Sequence, residues 1–123
     1  MVQENLHPIE GVWLPFKAEL AGEAAPAMAL AKMKLEIRAN TYAVLFGNEV
    51  TDSGSFSLHD GDAIHTITLQ GENGVNKGRT IPSIYQLVGD RLRICFGLNG
   101  VTPSAFSAAA GTKCYLVTYR RIA

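Results

Sequence analysis

Arg91, Arg93 and Cys95 alternate along one short run, and that spacing sets a thiol beside two guanidiniums on one face of a strand. Neighbouring cations stabilise a thiolate and raise the reactivity of the sulfur. Arg93 and Cys95 are therefore the candidate catalytic pair, as anion stabiliser and nucleophile. A nucleophile also needs a base. His7, His59 and His65 fall in turns or in the leader (residues 1–9), so spacing supplies no Cys–His couple. The same three residues suit the outer, partly wet face of a strand equally well. Which face of Arg91–Gly97 looks inward decides between the two readings.

Two other groupings bear on chemistry. His59-Asp60-Gly61-Asp62-Ala63-Ile64-His65 sets a histidine on each side of an Asp-Gly turn, and with Asp60 or Asp62 these could approach a divalent cation. Asp-Gly is equally the dipeptide a tight hairpin demands, and no further ligand is evident nearby. The expectation is no metal and no cofactor. Gly71 to Arg79 carries three glycines with Lys77 and Arg79. It lacks the Gly-Lys-Ser/Thr ending of a phosphate loop, and no helix follows to aim its N-terminus at a phosphate. It reads as an inter-strand loop, with a place at the rim of a pocket left open.

The elements that must position these groups are strands. Met33-Lys34-Leu35-Glu36-Ile37-Arg38 alternates apolar and charged residues without a break, which puts its charges on one face of a strand and would scatter them around a helix. Similar runs cover 42–46, 51–58, 64–70, 81–88, 91–97 and 115–120, separated by Gly, Asn and Asp. With the opening run from Gly11 to Leu20 they make eight. Residues 22–32 hold Pro26 and read as a loop or short helix, and 103–110, opening on Pro103, as one or two helical turns. Neither supports crossover helices of an α/β fold. The expected fold is all-β: a single domain over 1–123, folded as an eight-stranded up-and-down antiparallel barrel, with a β-sandwich as the rival. Closure removes exposed strand edges, and eight strands enclose room for packed side chains or one small ligand.

Gly11-Val12-Trp13 resembles the Gly-x-Trp signature of the first strand of lipocalins and other calycins. In that family an Arg from the end of the last strand packs over the Trp ring, so the resemblance assigns barrel closure to Trp13 with Arg120 or Arg121. A guanidinium stacks readily on an indole face and its donors reach carbonyls nearby. A wider resemblance runs along the chain through Gly78-Arg79-Thr80, Ile84-Tyr85-Gln86-Leu87, Gly89 to Cys95, Pro103-Ser104-Ala105-Phe106 and Leu116 to Arg121. Together these are similar to small bacterial lipocalin-like domains abundant in planctomycetes. That family tends to carry Arg-Pro where this chain has Thr102-Pro103, so a polar role of that Arg is absent here. The resemblance implies the barrel and no particular activity.

Composition narrows the partners. Eleven basic and eleven acidic residues cancel, which argues against sequence-blind nucleic-acid binding and against docking on anionic membranes. No apolar run is long enough to span a bilayer, and the N-terminal residues resemble no secretory signal, so the chain as it stands reads as cytoplasmic, or exported if a signal was trimmed. Cys95 and Cys114 read as buried small residues or as one packed and one reactive thiol, ahead of a disulfide. The leading expectation is a binding protein for a small, mostly apolar ligand, held by Tyr42, Tyr85, Arg93, Phe96, Tyr115 and Tyr119. The alternatives are a small barrel enzyme (isomerase, cyclase or hydrolase) using the same pocket, and a packed barrel serving as an interaction domain. An edge left open near 22–32 would favour a dimer.

Overall fold

The computed structural model describes residues 8–61 and 64–123. The alternating runs form one continuous antiparallel sheet of strands β1 (Gly11–Leu20), β2 (Glu23–Ala24), β3 (Met33–Arg38), β4 (Thr41–Phe46), β5 (Glu49–Asp60), β6 (His65–Gly74), β7 (Thr80–Val88), β8 (Arg91–Gly97) and β9 (Cys114–Arg121). From β3 to β9 every strand pairs with the next, and β1 pairs with both β3 and β9. The sheet therefore closes into an eight-stranded up-and-down barrel, and the sandwich is excluded.

The two-residue β2 lies outside that ring. It adds to the second half of β1 through Glu19 opposite Ala24 and Leu20 opposite Glu23, while Ala25 N–H donates to the Ala18 carbonyl at 2.8 Å. Beyond Trp13 the ladder between β1 and β3 stops, so these bonds occupy the edge expected to stand open near 22–32. A four-residue helix, α1 (Ala27–Leu30), follows Pro26. Residues 103–110 contain no helix. Their carbonyls are engaged elsewhere: Ala108 accepts from Gly22 N–H and Ser107 from the Cys95 thiol, bonds that a helical turn would disrupt.

The hairpins alternate between two ends. The turns at 39–40 and 89–90 lie at the base with the start of β1, while 21–32, 47–48, 75–79 and 98–113 gather at the mouth. The base is closed by Trp13, fully buried, whose indole N–H donates to the Ile9 carbonyl at 2.9 Å. The guanidinium of Arg121, one register position across on β9, lies 4.3 Å from the ring centroid. It also bonds the Pro8 and Glu10 carbonyls and the Asp90 carboxylate, so one side chain ties the last strand, the β7–β8 turn and the approach to β1. Arg120 points outward, exposed, and takes no part in the stack. Gly11 explains why no larger residue begins this signature: at φ +145° an added Cβ would stand 2.7 Å from the Ala123 carbonyl oxygen.

Inside, Leu35, Ile37, Phe56, Ile67, Leu69, Ile81, Leu92, Ile94 and Val117 form the core with Trp13. Phe46 sits at the mouth end of β4 beside a bulge and is 46% exposed.

Candidate functional site

On β8 the inward residues are Leu92, Ile94 and Phe96, and Arg91, Arg93 and Cys95 point out. Arg93 and Cys95 therefore do not reach the barrel interior. Arg93 bonds the Gln86 side chain on β7 and stacks on Phe106, 4.2 Å from the ring centroid. It lines an open groove on the outer wall with Phe16, Arg91 and Thr118. Cys95 is fully buried although it points outward, because the long 98–113 connection folds over this part of the wall and its Ser107 carbonyl accepts from the thiol at 3.5 Å. Burial pushes the Cys95 pKa up. The Arg93 charge pulls the other way but does not win. The activated thiol expected from Arg91 and Arg93 is thus corrected to a masked one.

Both cysteines are free, and Cys114 is half-buried. At pH 8 an alkylating reagent is expected to modify Cys114 markedly faster than Cys95, since burial both lowers the thiolate fraction of Cys95 and shields its sulfur from the reagent. Peptide mass mapping over time reads the two rates, and equal rates would show that the 98–113 cover is open in solution.

His59 and His65 are not cross-strand partners: His59 faces Thr66 and His65 faces Asp60. The His65 ring packs against Tyr85 with centroids 5.5 Å apart. Asp62 lies outside the described residues. Among those described, no three His, Cys, Asp or Glu side chains gather as a metal site.

The interior holds a cavity of about 250 Å³ toward the mouth. Its walls are mostly apolar: Met33, Leu35, Val44, Ile67, Ile81 and Leu98, with aromatic surface from Phe96, Tyr115 and Tyr119. Phe96 and Tyr115 stack at 5.8 Å. Of the residues expected to hold a ligand, Tyr42, Phe96, Tyr115 and Tyr119 line it. Tyr85 is buried near His65 and is not part of the lining, and Arg93 is outside.

Among the lining residues that escaped the sequence reading are Asp52 and Asn76. Asp52 stands on β5 opposite Val44 and is 6% exposed. The Tyr42 hydroxyl donates to its Oδ1 at 3.2 Å, and Asn76 Nδ2 donates to its Oδ2 at 2.8 Å. Arg79 Nη1 donates to Asn76 Oδ1 at 3.0 Å, which fixes the amide so that its NH₂ group faces the carboxylate. The loop carrying Asn76 can approach only because residue 71 is glycine: an added Cβ would fall 1.9 Å from the Asn76 carbonyl oxygen. The glycine-rich stretch is thus half strand, since β6 runs on to Gly74, and half mouth loop, tied by Gly78 N–H to the Gly71 carbonyl. Burial, followed by the charge and hydrogen bond of Asp52 and the charge of Glu72, drives the Tyr42 pKa far up. Burial does the same at Tyr119 and, to a lesser degree, at Tyr115.

The chain matches no family model, no curated protein and no solved structure. No helix among the described residues is long and apolar enough to cross a bilayer.

Proposed function

We propose that the protein is a binding barrel for a small, mostly apolar molecule, held in the mouth cavity with one polar contact at Asp52. The observation that carries this reading is an apolar cavity of about 250 Å³ in a barrel whose remaining interior is packed. Protein interiors leave few voids of that size, and small-molecule sites favour barrel mouths. At a water's share of roughly 30 Å³ per non-hydrogen centre, the space suits a ligand of about eight heavy atoms. Placement among lipocalin-like domains agrees with this use and rests on Gly11-Val12-Trp13 and on Arg121 above the indole. The enzyme alternative loses its two sequence candidates, because Arg93 and Cys95 lie outside the cavity. The packed-barrel alternative has to leave the cavity unused.

Native mass spectrometry of freshly purified protein tests the reading: the expected result is an adduct released on denaturation. A ligand so identified, added at a hundred times its Kd, should stabilise the fold by about 2.7 kcal/mol. Val44→Phe, which puts a ring opposite Asp52, should abolish that gain while the protein still folds. A ligand that stabilises both forms equally would place the site elsewhere.

A further inference from the structure

Resting on the binding-barrel reading, we propose that the cavity selects apolar amines, with a protonated amino group docked on the Asp52 carboxylate. The carboxylate is buried, and both of its partners are neutral: a phenol on one oxygen and an amide on the other. Among the described residues no Lys, Arg or His forms an ion pair with it. Arg79 reaches it only through the Asn76 amide and is itself exposed. Glu72 adds further negative potential at Tyr42. Burial of a carboxylate without a countercharge is costly, and chains that keep one do so where it serves a site.

Geometry favours an ammonium over other occupants. Each carboxylate oxygen can accept two hydrogen bonds, and one place on each is filled. An N⁺–H donor arriving from the cavity takes a vacant place and supplies the missing charge. A neutral hydroxyl supplies only the bond, and an anion is repelled. A metal ion would need several more ligands than one carboxylate. Tyr42, Phe96, Tyr115 and Tyr119 line the same cavity and supply the aromatic surface to which a cation is attracted, and Met33, Leu35 and Val44 accommodate an apolar body.

Isothermal titration calorimetry with three probes of similar shape decides the matter: 2-phenylethylammonium, 2-phenylethanol and phenylacetate. The expected result is an ammonium affinity at least about thirtyfold above the alcohol, with no detectable phenylacetate binding, because only the first pairs with a buried carboxylate. Asp52→Asn should bring ammonium and alcohol to within about threefold of each other and leave the alcohol itself nearly unchanged. Equal affinities in the unmodified protein, or tightest binding of phenylacetate, overturn the amine inference and leave the binding barrel standing. Failure of all three probes up to about 10 mM, with no adduct in native mass spectrometry, overturns both. The probe comparison on the unmodified protein decides the inference even where Asp52→Asn does not fold.

Discussion

Trp13→Ala is expected to lower the unfolding free energy by about 3–5 kcal/mol, a large share of an ordinary domain's stability. The indole is fully buried at the base, so truncation leaves a large cavity there. Its N–H is the donor to the Ile9 carbonyl, and its face carries the Arg121 guanidinium. Loss of the ring leaves that cation with its carbonyl and Asp90 partners but no platform, and those partners anchor the chain before β1 and the β7–β8 turn. Trp13→Phe separates the contributions: most apolar burial stays, the Ile9 bond goes, and the expected loss is about 1–3 kcal/mol. Urea unfolding followed by far-UV circular dichroism measures both. Trp13 is the sole tryptophan, so fluorescence cannot follow these variants. A loss below about 1 kcal/mol for Trp13→Ala would mean that the base is held by the backbone ladder alone.

The barrel was largely legible because period-two alternation is a local signal, and eight local signals with short turns leave closure as the economical arrangement. Parity was legible only where one face is clearly polar. On β8 both faces end buried, from Ile94 to Gly97, because the 98–113 connection covers the outer wall. No local pattern at Cys95 announces a cover arriving from residues so far along the chain. Arg120 and Arg121 were indistinguishable for the same reason: the register of Trp13 opposite Arg121 is a long-range fact. Asp52 was readable in principle. It shares period-two parity with Phe56 and Leu58, and a charged residue on an apolar face signals a site. Its partner Asn76 was not readable, since its place depends on a bulge between β5 and β6 and on the close approach at Gly71.

The phenols inside the barrel make the fold sensitive to alkali, and the sign follows from which form they favour. Burial holds Tyr119 neutral, and burial together with the charge of Asp52 holds Tyr42 neutral, so both folded pKa values lie well above the unfolded value near 10. Below about pH 10 both states keep these protons and the stability is present in full. Above it the unfolded chain releases two protons that the native barrel retains. These two phenols alone should then lower the unfolding free energy by about 2.7 kcal/mol per pH unit, with Tyr115, also raised by burial, adding to the slope, steeply enough to exhaust an ordinary domain within a few units. The barrel is therefore expected to unfold cooperatively above about pH 12, with tyrosinate absorbance from Tyr42 and Tyr119 appearing together with the loss of far-UV circular dichroism. Absorbance from all four tyrosines while the dichroism is still native would show that water reaches the cavity freely. Asp52→Asn sharpens the test. It removes the charge that opposes a second anion at Tyr42, so Tyr42 should ionise at lower pH while Tyr119, held by burial, stays protonated until the barrel opens.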